Sequence, residues 1–175
     1  MVNTLTISKT NMNEKNSLNN PEGSISNSKS LDAIKLLKDD HKTVDGLFED
    51  FEATNSDKKK KSIVDELCKE LTIHAQVEEE IFYPAVQNAL NDHELVPEAV
   101  VEHGSLKQLI AAVKGVEPSG DMYDAKIKVM SEYVKHHVKE EETEMFPKAK
   151  SSKLDMGELG KQMSARKEQL SNEYV

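Results

Sequence analysis

The sequence predicts an all-α fold: an antiparallel up-down four-helix bundle with a short fifth C-terminal helix. Three observations predict it. Apolar residues recur every three or four positions through four long stretches, the spacing of one helix face. The connections between those stretches are short, which makes successive helices antiparallel neighbours. The composition, 31% charged and 5% aromatic with no Trp, suits amphipathic helices better than a sheet.

Residues 1–30 are rich in Asn and Ser and show no sustained apolar period. Such a segment buries too little to offset its ordering entropy, so a flexible tail is expected, followed by one domain over 31–172. The first helix, about 31–53, carries Ile34, Leu37, His41, Val44, Phe48 and Phe51 on one stripe, with Ser30 as the expected N-cap. The second, about 58–88, carries Ile63, Leu67, Leu71, His74, Glu78 and Ile81, and Pro84 in its last turns is expected to kink it. The third, about 94–115, carries Val96, Val100, His103, Leu106, Ile110 and Val113 and stops near Gly115. The fourth, about 121–147 with Asp121 as its cap, carries Tyr123, Ile127, Met130, Val134, His137, Glu141 and Met145. Asp155 and Glu158 form a capping signal for the fifth, about 155–172, which is expected to pack outside the bundle.

A formal charge of −9 repels phosphate-rich partners, so no nucleic-acid partner is expected. No apolar run approaches the roughly 18 residues of a membrane span, and the N-terminus lacks the apolar stretch of a secretion signal. The single Cys68 forms no internal disulfide and reads as a small buried hydrophobe. A cytoplasmic protein with no membrane partner is expected.

The chain repeats itself. HAQVEEEIFYP at 74–84 and HVKEEETEMFP at 137–147 share length, first residue, two central glutamates and an aromatic–Pro end. Upstream, DHKTVDGLF and EHGSLKQLI each set an acid before a histidine. Two helical hairpins therefore each supply one His and one His-x-x-x-Glu, giving His41, His74, Glu78, His103, His137 and Glu141. His and Glu four residues apart share a helix face, separated by about 6 Å along the axis. All six lie on apolar stripes, so four helices aim four imidazoles and two carboxylates at one interior.

A lone histidine on an apolar face is ordinarily a core histidine bonded to backbone. Glu78 and Glu141 resist that reading, because an unpaired buried carboxylate costs several kcal/mol and is rare without a cation. A bound metal supplies the compensation. Mixed imidazole and carboxylate ligation suits a pair of first-row ions such as iron or manganese. Structural zinc is disfavoured, since it closes four ligands around one ion, usually with thiolates.

These motifs resemble the hemerythrin-like, HHE cation-binding family, over about residues 31–172. The resemblance implies a non-haem centre of two iron ions, with manganese the lesser alternative. It implies that Glu78 and Glu141 bridge the irons, with His41 and His74 on one and His103 and His137 on the other. Oxygen-carrying members have a fifth histidine where this chain has Lys107, and their last carboxylate is an Asp one residue further on where this chain has Glu141. Fewer protein ligands leave the irons more open to exogenous molecules. The expected function is binding or sensing of a diatomic ligand, oxygen or nitric oxide, by a metal- and ligand-binding protein rather than a dedicated enzyme. The alternatives are an oxidoreductase acting on peroxide or nitric oxide, and iron buffering.

Other residues are expected to do less. His136 is rotated about 100° from the stripe and His93 lies in a connection. Glu79, Glu80, Glu140, Glu142 and Glu144 read as solvated faces, while Phe82, Tyr83 and Phe146 read as a plug closing the bundle end. Asp45 and Glu70, each one turn from a histidine, are candidates for supporting a ligand.

Overall fold

A computed structural model describes Met1 and residues 31–174. The expected tail, apart from Met1, and the expected cap Ser30 lie outside the described residues. Seven α-helical segments follow: α1 (Ala33–Ala53), α2 (Asp57–Val77), α3 (Tyr83–Leu90), α4 (Leu95–Ala111), α5 (Gly120–Glu140), α6 (Phe146–Ser151) and α7 (Met156–Glu173). Two π-helical turns, π1 (Glu78–Phe82) and π2 (Glu141–Met145), join α2 to α3 and α5 to α6, so five rods result.

Local chemistry sets most ends. Asp32 caps α1, its side chain accepting the Lys35 N–H at 2.9 Å, and Asp155 caps α7 by accepting the Glu158 N–H at 2.9 Å. Asn91 ends α3 in the left-handed region at φ 49°, which its short polar side chain tolerates. The cap of α5 differs from expectation. Ser119 is the extended residue before the helix, and Asp121 sits inside the first turn, where its charge still complements the helix dipole. The third helix ends at Ala111, with Gly115 at φ +71° in the turn beyond.

Neither proline ends its rod. Pro84 and Pro147 fall in the first turns of α3 and α6, where a missing N–H costs nothing extra. The widened π turn just before each takes the place of a break: the N–H of Tyr83 bonds the Glu78 carbonyl and that of Phe146 bonds the Glu141 carbonyl, five residues back.

The core is split into two apolar clusters. One contains Ile34, Leu37, Val77, Phe82, Val96, Met145 and Phe146; the other contains Val44, Phe48, Leu67, Leu71, Leu106, Ile110, Met130 and Val134. Along α1 and α4 the chain runs from the first cluster to the second, and along α2 and α5 it runs back, which is the up-down topology. On each helix the histidine falls at the changeover: His41 between Leu37 and Val44, His74 between Leu71 and Val77, His103 between Ala99 and Leu106, His137 between Val134 and Met145. A polar layer is thus sandwiched between two apolar ones. Each fully buried Leu or Phe contributes about 1.5–3 kcal/mol, enough collectively to hold the layer together despite its desolvation cost.

The fifth rod, α7, packs outside against α1, α2 and π1. Gly160 permits the approach: a Cβ there would lie 2.4 Å from the Leu31 carbonyl oxygen. Met163 and Leu170 bury their side chains beneath it. No helix of the described residues is long and apolar enough to cross a membrane.

Candidate metal centre

The changeover layer brings all six sequence-predicted residues together. Each is buried, with Glu78 and Glu141 at 0% and 1% exposure. Ligand-capable atoms of His41, His74, Glu78 and Glu141 lie within 4.8 Å of one another, and so do those of Glu78, His103 and His137. Glu78 belongs to both groups. His74 Nε2 is 3.2 Å from Glu78 Oε2, His41 Nε2 is 3.3 Å from Glu141 Oε2, and His103 Nε2 is 3.5 Å from Glu78 Oε2.

A ring of four acids surrounds the histidines. Glu142 faces His41 Nδ1 at 2.9 Å, Glu79 faces His103 Nδ1 at 3.0 Å, and Glu102 faces His137 Nδ1 at 2.6 Å. Asp40 faces His74 Nδ1 at 3.5 Å, beyond a hydrogen bond. An ionised carboxylate can only accept, so each bonded Nδ1 carries the proton and donates it. The Nε2 lone pairs are left pointing inward, the tautomer a metal requires.

That assignment has a physical consequence. His103 Nε2 and His137 Nε2 face each other at 3.1 Å as two acceptors. His41 Nε2, Glu78 Oε1 and Glu141 Oε2 are buried without any hydrogen-bond partner. Convergent lone pairs of this kind repel unless a cation or a proton lies among them, and the donor set of imidazole and carboxylate fits first-row divalent ions.

Tyr83 is the residue sequence reasoning misassigned. It is not a plug at the bundle end: its hydroxyl donates to Glu141 Oε1 at 2.8 Å and lies 3.3 Å from His103 Nε2 and 3.4 Å from Glu78 Oε2. The π turn causes this. Five residues after Glu78, Tyr83 would be rotated away on a regular α-helix, whereas the wider turn returns it to the same face. The available signal was the shared E-x-x-x-x-aromatic-Pro ending of the two repeats.

Glu79 and Glu142 also depart from expectation, since each supports a histidine across the bundle instead of forming a solvated face. Asp45 does not support a ligand; it is exposed and 3.7 Å from Lys135. Glu70 stands one step removed, 3.4 Å from Lys167, which bonds Asp40. Lys107 points outward and pairs with both Glu79 oxygens at 2.7 Å. Phe146 stacks on His41 at 5.8 Å between ring centroids, 8° from parallel. Glu80 pairs with Arg166, and Glu140 lies 3.3 Å from His136 Nε2. His136, His93 and Glu144 are exposed, as expected.

Burial and mutual charge shape the metal-free titration. Burial, followed by the neighbouring Glu141 charge, pushes the Glu78 carboxyl well above the usual range. Burial also works against ionised Glu141, but His41, His137 and His74 outweigh it and hold it at about 2. Burial depresses His74, and burial with His137 alongside brings His103 down to about 4. For His41 burial is outweighed by Glu141 and Glu142, and the imidazole titrates above its ordinary value. Burial and the two carboxylates drive the Tyr83 phenol well upward, so it stays a neutral donor.

The centre borders a cavity of about 10 Å³, room for about one water molecule. The four imidazoles form part of its wall and Val44, Leu71, Leu106 and Val134 much of the rest. From outside, an open groove of about 550 Å³ between α1 and α5 reaches His41, Val134 and Val138, with Lys42, Lys135 and Lys139 along it.

A sequence model of the family described as the Hemerythrin HHE cation binding domain matches residues 32–149. A DNA nickase of Nostoc sp. is 28% identical over 111 residues, 63% of this chain but 31% of the nickase, so the chain spans under a third of that relative. An uncharacterized protein of Mycobacterium tuberculosis is 26% identical over 144 residues, covering 80% of this chain and 88% of that one. The crystal structure of a hemerythrin HHE cation binding domain-containing protein from Mycobacterium kansasii is similar at a TM-score of 0.69 and 28% identity, over 81% of this chain and 88% of that one.

Proposed function

The chain belongs to the hemerythrin HHE cation-binding family, and we propose that its buried centre holds two iron ions and binds a diatomic ligand, oxygen or nitric oxide, beside them. The observation that carries this reading is the cavity of about 10 Å³ walled by four imidazoles and by aliphatic side chains. At about the size of one water molecule it admits only a very small guest, which it would place against imidazole nitrogens on one side and aliphatic side chains on the other. Larger substrates are excluded by size.

His41 and His74 would hold one ion, His103 and His137 the other, with Glu78 and Glu141 shared between them. Bound iron supplies one-electron chemistry and open coordination positions for a small ligand. The residues do the rest. Glu142, Glu79 and Glu102 fix three imidazole tautomers, the two apolar clusters exclude water, and the α1–α5 groove gives a guest its approach past Val134 and Val138.

A second reading, turnover of peroxide, is favoured by the Tyr83 hydroxyl, which stands within hydrogen-bond reach of the carboxylate and imidazole atoms that would surround a bound oxygen species. Nicking of DNA is not proposed, because the match spans 31% of the nickase and the charge of −9 opposes phosphate.

Anaerobic loading with ferrous iron, followed by metal analysis and absorption spectra on adding oxygen and then peroxide, tests both readings. A band that forms with oxygen and disappears on its removal supports ligand binding; rapid catalytic loss of peroxide supports the second reading. Iron content unchanged by His74→Ala and Glu141→Ala would remove both.

A further inference from the structure

Helix α7 begins at Met156, beyond the stretch that matches the family, yet two of its side chains reach the metal layer. Lys167 bonds Asp40, the acid that faces His74 Nδ1, and lies 3.4 Å from Glu70. The neighbouring Arg166 grips Glu80 with two nitrogens, at 2.6 Å and 3.1 Å, and Glu80 sits in π1, the turn that carries Glu78. Lys167 thus joins α1, through Asp40, to α2, through Glu70, and Arg166 holds π1, the turn that continues the helix of His74; α1 and α2 are the helices of His41 and His74.

The second repeat has no equivalent grip. The counterpart of Glu80 is Thr143, which carries no charge. The acids facing His103 and His137 meet Lys107 and His136, both more than half exposed on the helices of the second repeat itself. Lys167, by contrast, is 24% exposed and is anchored on a separate helix seated by Gly160, Met163 and Leu170. Long exposed side chains give little rigidity, whereas a half-buried cation on a docked helix fixes its acid in place.

We propose that α7 clamps one half of the centre: Lys167, through Asp40, is a positioning residue for His74 and for the ion that His41 and His74 would hold, and Arg166, through Glu80, steadies the turn that follows His74. The duplicated centre is thereby made inequivalent from outside, by a helix that contacts one half. This deepens the two-ion reading and rests on it.

The test uses the full chain with Lys167→Met, the rescue variant Lys167→Arg, and Lys107→Met as the matching change at the other half-site. Each is loaded with ferrous iron without oxygen and challenged with excess chelator, while amide hydrogen exchange is followed in the metal-free protein. Lys167→Met is expected to release one of the two ions about tenfold faster and leave the other unchanged, with Lys167→Arg restoring the rate. In the metal-free protein, exchange should quicken across residues 74–82 and stay constant across 137–145. Equal acceleration of both ions, acceleration of neither, or equal exchange in the two segments overturns the clamp. Uptake of fewer than two ions by the unaltered chain overturns the two-ion reading instead, and the metal-free exchange then decides the clamp by itself.

Discussion

Tyr83 and Glu141, contributed by opposite halves of the repeat, share a hydrogen bond of 2.8 Å in the middle of the bundle, the phenol donating to the carboxylate. The contact ties the first hairpin to the second at the point where the two would share their ions.

Removing that hydroxyl is therefore expected to have a structural and a chemical effect. Tyr83→Phe leaves a buried Glu141 oxygen without its donor and should lower metal-free stability by about 1–3 kcal/mol in denaturant unfolding. In the iron-loaded protein it should slow peroxide loss while leaving iron content unchanged. Undiminished peroxide loss in the variant would remove the proton-donor role.

The acids behind the histidines should tune affinity without setting stoichiometry. Glu142→Gln and Glu79→Gln each keep the shape but weaken the hold on Nδ1 of His41 and His103. Each is expected to weaken metal binding by about 10- to 100-fold in competition titrations, with the same metal content at saturation. The same change at Glu144, which is exposed, should do nothing.

Metal should stabilise the fold more as pH rises above 6.5. In the metal-free protein Glu78 and His41 both titrate above their ordinary values. The folded state then binds more protons than the unfolded chain above those values, so its stability falls with rising pH. The depressed His74 and His103 act in the opposite sense, but only below 6.5, and the depressed Glu141 and Asp40 only in acid. A metal displaces the protons concerned and removes the loss. The difference in Tm between loaded and metal-free protein should therefore widen from pH 6.5 upward, with protons released on binding in calorimetry. A constant difference would contradict the arrangement.

Gly160→Ala should loosen α7. Its methyl would meet the Leu31 carbonyl oxygen at 2.4 Å and the Ala33 nitrogen at 2.9 Å, so backbone must shift. A loss of about 1–3 kcal/mol is expected in thermal or denaturant unfolding. Gly104→Ala, where a Cβ has open space on a helix, should be neutral or slightly stabilising.

The bundle and the six convergent residues were legible because each obeys a rule local to one helix. His41, His74, His103 and His137 lie on apolar stripes, and a four-residue step puts Glu78 and Glu141 on the faces of His74 and His137. The supporting acids were not legible, because Glu142 meets His41 and Glu79 meets His103 across helices that only tertiary packing brings side by side. Asp40 and Glu102 each precede a histidine in the sequence, but each faces the histidine of the following helix, not its sequence neighbour. Tyr83 was missed for another reason: its direction depends on a widened turn, and helical periodicity assumes 3.6 residues per turn throughout.

The two π turns deliver equivalent positions with unequal cargo. Tyr83 and Phe146 correspond in the two repeats, each five residues after its inward glutamate, and each reaches toward the histidines contributed by the other copy. Tyr83 sets its hydroxyl oxygen 3.3 Å from His103 Nε2, whereas Phe146 lays a flat hydrocarbon face against His41. One oxygen atom thus distinguishes the two corresponding rings. The duplicated frame therefore presents a hydroxyl to the histidine of one copy and a bare ring to the histidine of the other, so its two ends are chemically distinct although their backbones match.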